Sequence, residues 1–191
     1  MNPSLPGILP DHEIRRLASA GMIQPFREDG RQAGKISFGL QPFGYDVRLA
    51  PELLLLRHAA SFADPKRLAR HHYERVVPRR DGTLLLPPQA FALARTIETI
   101  TLPQDITALV VNKSTLARSG ILVHTTVLEA GWSGTITLEI TNLNSVPAVL
   151  HPSEGIAQVL FFRGTAPAEA DYPARGGLYQ GQRGIVPPKV R

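Results

Sequence analysis

Gly134-Thr135-Ile136-Thr137-Leu138-Glu139-Ile140-Thr141-Asn142 is the stretch whose reading decides the fold class. Ile136, Leu138 and Ile140 recur at every second position, the period of a strand with one dry face, while Thr137, Glu139 and Thr141 fall on the other face. Glu139 is therefore a carboxylate opposite an apolar stripe, a pattern that spacing alone assigns to solvent. Outward from this stretch, the chain from Phe38 onward breaks into short apolar runs divided by Gly, Pro, Asn and Asp, as in an all-β sandwich or barrel. Strands are predicted near 45–49, 83–86, 90–99, 108–113, 121–123, 134–142, 146–150 and 155–163. One helix precedes them over 11–20: Pro10-Asp11 supplies a cap, Ile14, Leu17 and Ala18 recur at helical spacing, and Gly21 closes it. The segment 61–77 has neither periodicity and reads as a loop with one helical turn. From about 164 to 191 the chain is rich in Gly, Pro and Ala and reads as a C-terminal arm that adds little to the core.

The 191 residues suit a single domain, 1–191, and 43% apolar with 19% charged residues is ordinary composition for a folded chain. The apolar runs 53–56 and 159–162 fall far short of the roughly 20 residues that cross a bilayer. Residues 1–10 lack the cationic and apolar regions of a secretory signal, so a cytoplasmic location is expected. The absence of cysteine excludes disulfides, thiolate zinc sites and a cysteine nucleophile. A formal charge of +5, from 21 basic against 16 acidic residues, suits an anionic ligand. Arg67, Arg70, Arg75, Arg79 and Arg80 are interspersed with acids, however, and aromatic residues are only 6% of the chain, without an interleaved basic platform. Nucleic acid is not an expected partner.

Lys113-Ser114-Thr115-Leu116-Ala117-Arg118 stands where an apolar strand gives way to polar residues before Gly120. Exposed backbone N–H groups, hydroxyls and two cations there suit a polyphosphate. The glycines of a P-loop are absent. His72-Tyr73-Glu74 reads as the H-x-E of zinc deaminases, but without cysteine the other ligands of that site cannot be supplied. His71 and His72, adjacent on a strand, would point apart and share no metal.

Taken together, these segments resemble the signature regions of the deoxycytidine triphosphate deaminase family. The resemblance runs through Ser37-Phe38-Gly39, Gly44-Tyr45-Asp46-Val47-Arg48, Pro87-Pro88, Phe91-Ala92-Leu93-Ala94-Arg95-Thr96 and Lys113-Ser114-Thr115 with Ala117-Arg118. It continues through Leu128-Glu129, Trp132, Gly134, Thr137-Leu138-Glu139, Glu154-Gly155-Ile156-Ala157-Gln158 and the tail from Arg175 to Gly184. It implies an all-β distorted barrel or jelly-roll of the dUTPase-like type, assembled as a homotrimer with active sites between subunits. The implied reaction is hydrolysis of dCTP to dUTP and ammonia, which feeds pyrimidine deoxynucleotide synthesis, with magnesium only as the nucleotide's counter-ion and no zinc.

Carried over by residue, the resemblance makes Glu139 the proton-transferring carboxylate with Ser114 and Arg118 beside it, in a substrate-binding run from Lys113 through Thr115, Leu116 and Ala117 to Arg118. It lays Val127, Leu128 and Glu129 against pyrimidine and sugar, with Trp132 closing the wall. Gln158 and Tyr172 then meet phosphates and sugar, and Tyr179 and Gln182 belong to an arm that folds over the nucleotide as a lid. One carboxylate can take a proton from water and deliver it to the ring nitrogen and departing ammonia if burial raises its pKa toward the working pH. Two positions depart from the family: Asn112 replaces a common Gly, and Leu178 replaces a Lys of the tail, both at the phosphate end. The alternatives are a dUTPase or bifunctional enzyme releasing diphosphate, with Glu129 and Trp132 in the water-activating and stacking places, and a non-catalytic nucleotide-binding regulator on the same fold.

Overall fold

The computed structural model describes residues 5–57 and 63–190. In chain order it carries β1 (Gly7–Ile8), α1 (Asp11–Ser19), β2 (Ile23–Gln24), β3 (Gly39–Gln41), β4 (Gly44–Arg48), β5 (Leu53–Leu56), a 3-10 turn at Arg70–His72, β6 (Tyr73–Val76), β7 (Leu84–Leu86) and β8 (Phe91–Thr101). There follow β9 (Ile106–Asn112), α2 (Ser114–Arg118), β10 (Ile121–Val123), β11 (Thr126–Leu128), β12 (Ser133–Asn142), β13 (Ala148–Leu150) and β14 (Gly155–Arg163).

β8 and β12 pair antiparallel along most of their length and form the centre of one sheet, ordered β10-β12-β8-β5-β6 with β2 on β8. The other sheet runs β11-β9-β14-β4-β3 with β1 on β14, and β7 and β13 form a separate ribbon. These sheets share one core and are not closed into a barrel by hydrogen bonds; the all-β class and the N-terminal helix are as expected. Ala92, Ala94 and Ile100 of β8, Ile136, Leu138 and Ile140 of β12, and Val159 and Phe161 of β14 are buried in one core. The alternation read in β12 thus places Ile136, Leu138 and Ile140 inside.

A register shift between Thr135 and Thr137 marks a bulge in β12, and the Thr96 hydroxyl accepts the Ile136 N–H there at 3.0 Å. Where the chain crosses between sheets, Arg48 Nε donates to Glu98 Oε1 at 2.6 Å and the Arg48 backbone N–H to Oε2 at 2.9 Å, so both oxygens of a buried carboxylate are held by one residue, whose guanidinium stands over the Phe38 ring. Pairing of this kind is what lets two charges stay out of water.

α1 begins at Pro10 without a side-chain cap, since Asp11 lies inside the helix and accepts the His12 N–H at 2.7 Å. Ile14, Leu17 and Ala18 are its buried face, as the spacing predicts. The segment 61–77 departs from expectation: residues 61 and 62 lie outside the described residues, the helical turn is present, and Tyr73–Val76 is a strand pairing with β5. His71 and His72 sit in the turn rather than on a strand, so their rings lie 3.9 Å apart instead of pointing away from each other. Among the described residues no three of His, Asp and Glu gather in a metal-binding group, and no helix is long and apolar enough to cross a membrane.

Candidate active site

Glu139 sits mid-strand in β12 between Leu93 of β8 and His124, whose backbone N–H donates to the Glu139 carbonyl at 2.9 Å. The outer face of this sheet is not wet here. Leu54, Tyr73 and Leu93 are buried in a second, smaller apolar cluster, with Leu56, Phe91 and Ile185 packed against it. Beside that cluster lies a cavity of about 310 Å³ whose wall includes Glu139, Thr137, Phe91, Leu93, Tyr73 and Leu68. Burial pushes the Glu139 carboxyl above its ordinary value, and only its own backbone N–H acts in the other direction. An acid so placed is suited to carrying a proton both ways near neutral pH.

The opposite wall and roof come from the β11–β12 connection and the arm. Val127, Leu128, Glu129, Trp132, Tyr172, Tyr179 and Gln182 all line the same cavity, joined by Val186 and Pro188. The arm is fixed by a ladder: Gly181 N–H to the Ser133 carbonyl at 2.8 Å, Thr135 N–H to the Gln182 carbonyl at 3.1 Å, and Gln182 Nε2 to the Thr135 carbonyl at 2.7 Å. Gly134 permits this approach, because a Cβ there would stand 2.8 Å from the Gln182 carbonyl oxygen. The arm therefore adds more than a loose flap: Tyr172 packs on the main core and Ile185 on the second cluster.

The remaining site residues read from the sequence lie elsewhere. Lys113 caps α2, a five-residue helix where a turn was expected, and Ser114, Thr115, Ala117 and Arg118 are exposed on it while Leu116 is buried. The Lys113 ammonium is bound to the Asp46 carboxylate of β4, and both side chains are nearly buried. Burial still pushes the Asp46 carboxyl up, although Lys113 works against it. Gln158 of β14 pairs in register with Asp46 and Val111, so it shares their face of its sheet. None of Lys113–Arg118 and Gln158 lines the Glu139 cavity. The residues singled out in the sequence thus fall in two places: the carboxylate cavity on the outer face of β8 and β12, and the exposed hydroxyls and guanidinium of α2.

A family model described as dCTP deaminase-like matches residues 8–164. The chain belongs to that family. Among its relatives, the dCTP deaminase of Novosphingobium aromaticivorans is 43% identical over 185 residues, covering 96% of this chain and 99% of that protein. The dCTP deaminase of Helicobacter hepaticus is 41% identical over 187 residues, covering 96% of this chain and 98% of that protein. The crystal structure of 2'-deoxycytidine 5'-triphosphate deaminase from Agrobacterium tumefaciens matches the fold with a TM-score of 0.64 at 22% identity, over 84% of this chain and 49% of that one. The family match includes Glu139 and α2 and ends where the arm begins, so the arm's seating is known here from its own hydrogen bonds.

Trp132 is the residue that joins arm to cavity. Its indole is buried in the main core, and its N–H donates to the Tyr179 carbonyl at 3.1 Å. Trp132→Phe keeps the packing and removes that bond. The expected result is severalfold faster tryptic cleavage at Arg183 with the core uncut, checked by mass spectrometry. Unchanged cleavage would show that the other rungs hold the arm alone.

The sequence reading missed Leu68, Tyr73, Phe91, Leu93, Val186 and Pro188 as cavity residues. For Phe91 and Leu93 a signal existed, since the alternation of β8 places them opposite Ala92 and Ala94. Leu68 and Tyr73 lie in a segment without periodicity, and no local pattern announces them.

Proposed function

We propose that this member of the dCTP deaminase-like family adds water to dCTP and releases dUTP and ammonia, with Glu139 as the group that moves the protons. The observation that carries this reading is a half-buried carboxyl, raised by burial, on the wall of a largely apolar cavity of about 310 Å³. The names of relatives more than 40% identical over nearly the whole chain support the substrate. In the reaction Glu139 takes a proton from water as its oxygen bonds to C4 of the pyrimidine. It passes that proton to the ring nitrogen, then moves the remaining proton of the new C4 hydroxyl to the amine; the C4–N bond breaks, ammonia leaves and C4 becomes the carbonyl of the uracil ring. The cavity wall at Val127, Leu128, Glu129 and Trp132 holds base and sugar, and Tyr172, Tyr179 and Gln182 close over them.

Ser114 and Arg118 serve the same centre from another chain. Their helix stands away from the Glu139 cavity of their own chain, and a homotrimer that sets one chain's α2 against the next chain's cavity completes the site. Arg118 and Ser114 then stabilise charge developing at the ring and orient the water. Lys113, held by Asp46, positions α2 on its sheet. Magnesium enters with the nucleotide, bound mainly to phosphate oxygens and water. The chemistry needs no zinc, and the chain has no cysteine to build the familiar zinc-deaminase site. This metabolism belongs to the cytoplasm.

The test is product identity. With dCTP, ammonia and dUTP are expected in equal amounts; with dUTP, no diphosphate is expected. Diphosphate from dUTP at a comparable rate would make the protein a dUTPase or a bifunctional enzyme instead.

A further inference from the structure

Beside the Glu139 cavity lies a second one of about 460 Å³, and the two share Glu129, Tyr172 and Tyr179 as walls. The first is largely apolar, with the carboxyls of Glu139 and Glu129 and no Lys or Arg among the described residues of its wall, so the polyanionic end of a nucleotide belongs away from it, toward the second, whose wall includes Arg175. That second cavity is lined by Asp171 and Glu129, with Arg175 and the half-buried Leu178. Two carboxylates repel phosphate, and a phosphate tail there needs cations to offset them.

The C-terminal segment delivers one. The Lys189 backbone N–H donates to Tyr179 Oη at 2.9 Å, and Pro188 before it lines the first cavity. From that anchor the side chain folds back, so that Nζ donates to the Leu178 carbonyl at 3.1 Å and lies 5.6 Å from the centre of the Tyr179 ring. The ammonium is thereby held beside Leu178, which lines the second cavity, and Tyr179, which lines both, by a carbonyl and an aromatic face, neither of which neutralises its charge. A single carbonyl bond leaves it further donors to offer. Leu178 is itself apolar, so the cation comes from eleven residues further along the arm and converges on Leu178's own backbone.

We infer that Lys189 is the cation that binds the phosphate end of the nucleotide, a specificity residue for the phosphorylation state of the substrate. This rests on the proposed deamination only for the identity of the nucleotide. The experiment compares dissociation constants of dCTP, dCMP and deoxycytidine by calorimetry, with wild-type protein and with K189M, K189R and K189M/L178K, in a Glu139→Gln background that prevents turnover. K189M should weaken dCTP about tenfold and dCMP less, leaving deoxycytidine unchanged. K189R should retain dCTP affinity, and L178K should restore it in K189M because the Lys189 ammonium lies against the Leu178 backbone. The difference should shrink with added salt. Equal weakening of all three ligands would make Lys189 a latch of the arm, and no weakening would leave it no role; either result overturns the inference. If the ligands bind with the expected ranking but the wild-type enzyme releases no ammonia, it is the deaminase reading that fails and not the role of Lys189.

Discussion

Glu139→Gln is expected to lower turnover of dCTP by about a thousandfold while leaving nucleotide binding within a few fold, since the amide fills the same space and carries no proton. Stability should move the other way. The folded pKa of Glu139 is raised above its ordinary 4.5, so its protonated form is favoured in the fold. That contribution is fully present below about pH 4.5 and is lost as pH rises through the folded pKa, where the fold must hold an ionised carboxylate in a poorly solvated place. Gln has no such dependence. The variant should match the wild type near pH 4 and be the more stable protein above the folded pKa, read as a higher Tm at neutral pH. A variant that keeps more than about a tenth of wild-type turnover would remove Glu139 from the mechanism, because general acid–base catalysis is worth at least about a hundredfold.

The second large effect follows from the proposed division of the site between chains. Arg118→Ala should cost about two to three orders of magnitude in turnover, as loss of a charge-stabilising donor does. It should do so although Arg118 does not line the Glu139 cavity of its own chain. Arg118→Ala and Glu139→Gln proteins, each nearly inactive, should regain activity when mixed under conditions of subunit exchange. In random trimers each site draws its carboxylate and its arginine from different chains, so about a quarter of the sites are intact at equal mixing. Mixtures that stay inactive although mass spectrometry shows exchanged trimers would confine the site to one chain.

Which parts of this were legible in the sequence follows from what each signal measures. β12 alternates because Ile136, Leu138 and Ile140 face the core, and the face assignment of Glu139 came with them. Its burial did not. The cluster that desolvates it is assembled from Leu54 of β5, Tyr73 of β6 and Ile185 of the arm, and no local pattern reports contacts made across such distances. β5 itself, Leu53–Leu56, is four consecutive leucines, a run with no period to read. β1 and β2 are two residues each and too short to show one. α2 hid for a similar reason: five residues with one buried leucine look the same as a turn. The Lys113–Asp46 pair joins positions 67 residues apart, so no local pattern announces that the Lys113 ammonium has a carboxylate partner.

The most direct measurement is ammonia release from dCTP by protein stripped of metals by exhaustive chelation and resupplied with magnesium alone. Full turnover with ammonia and dUTP formed one for one, and no zinc detectable in the active protein, is the result this account predicts. Turnover that returns only with stoichiometric zinc, or none from dCTP under either condition, would contradict it.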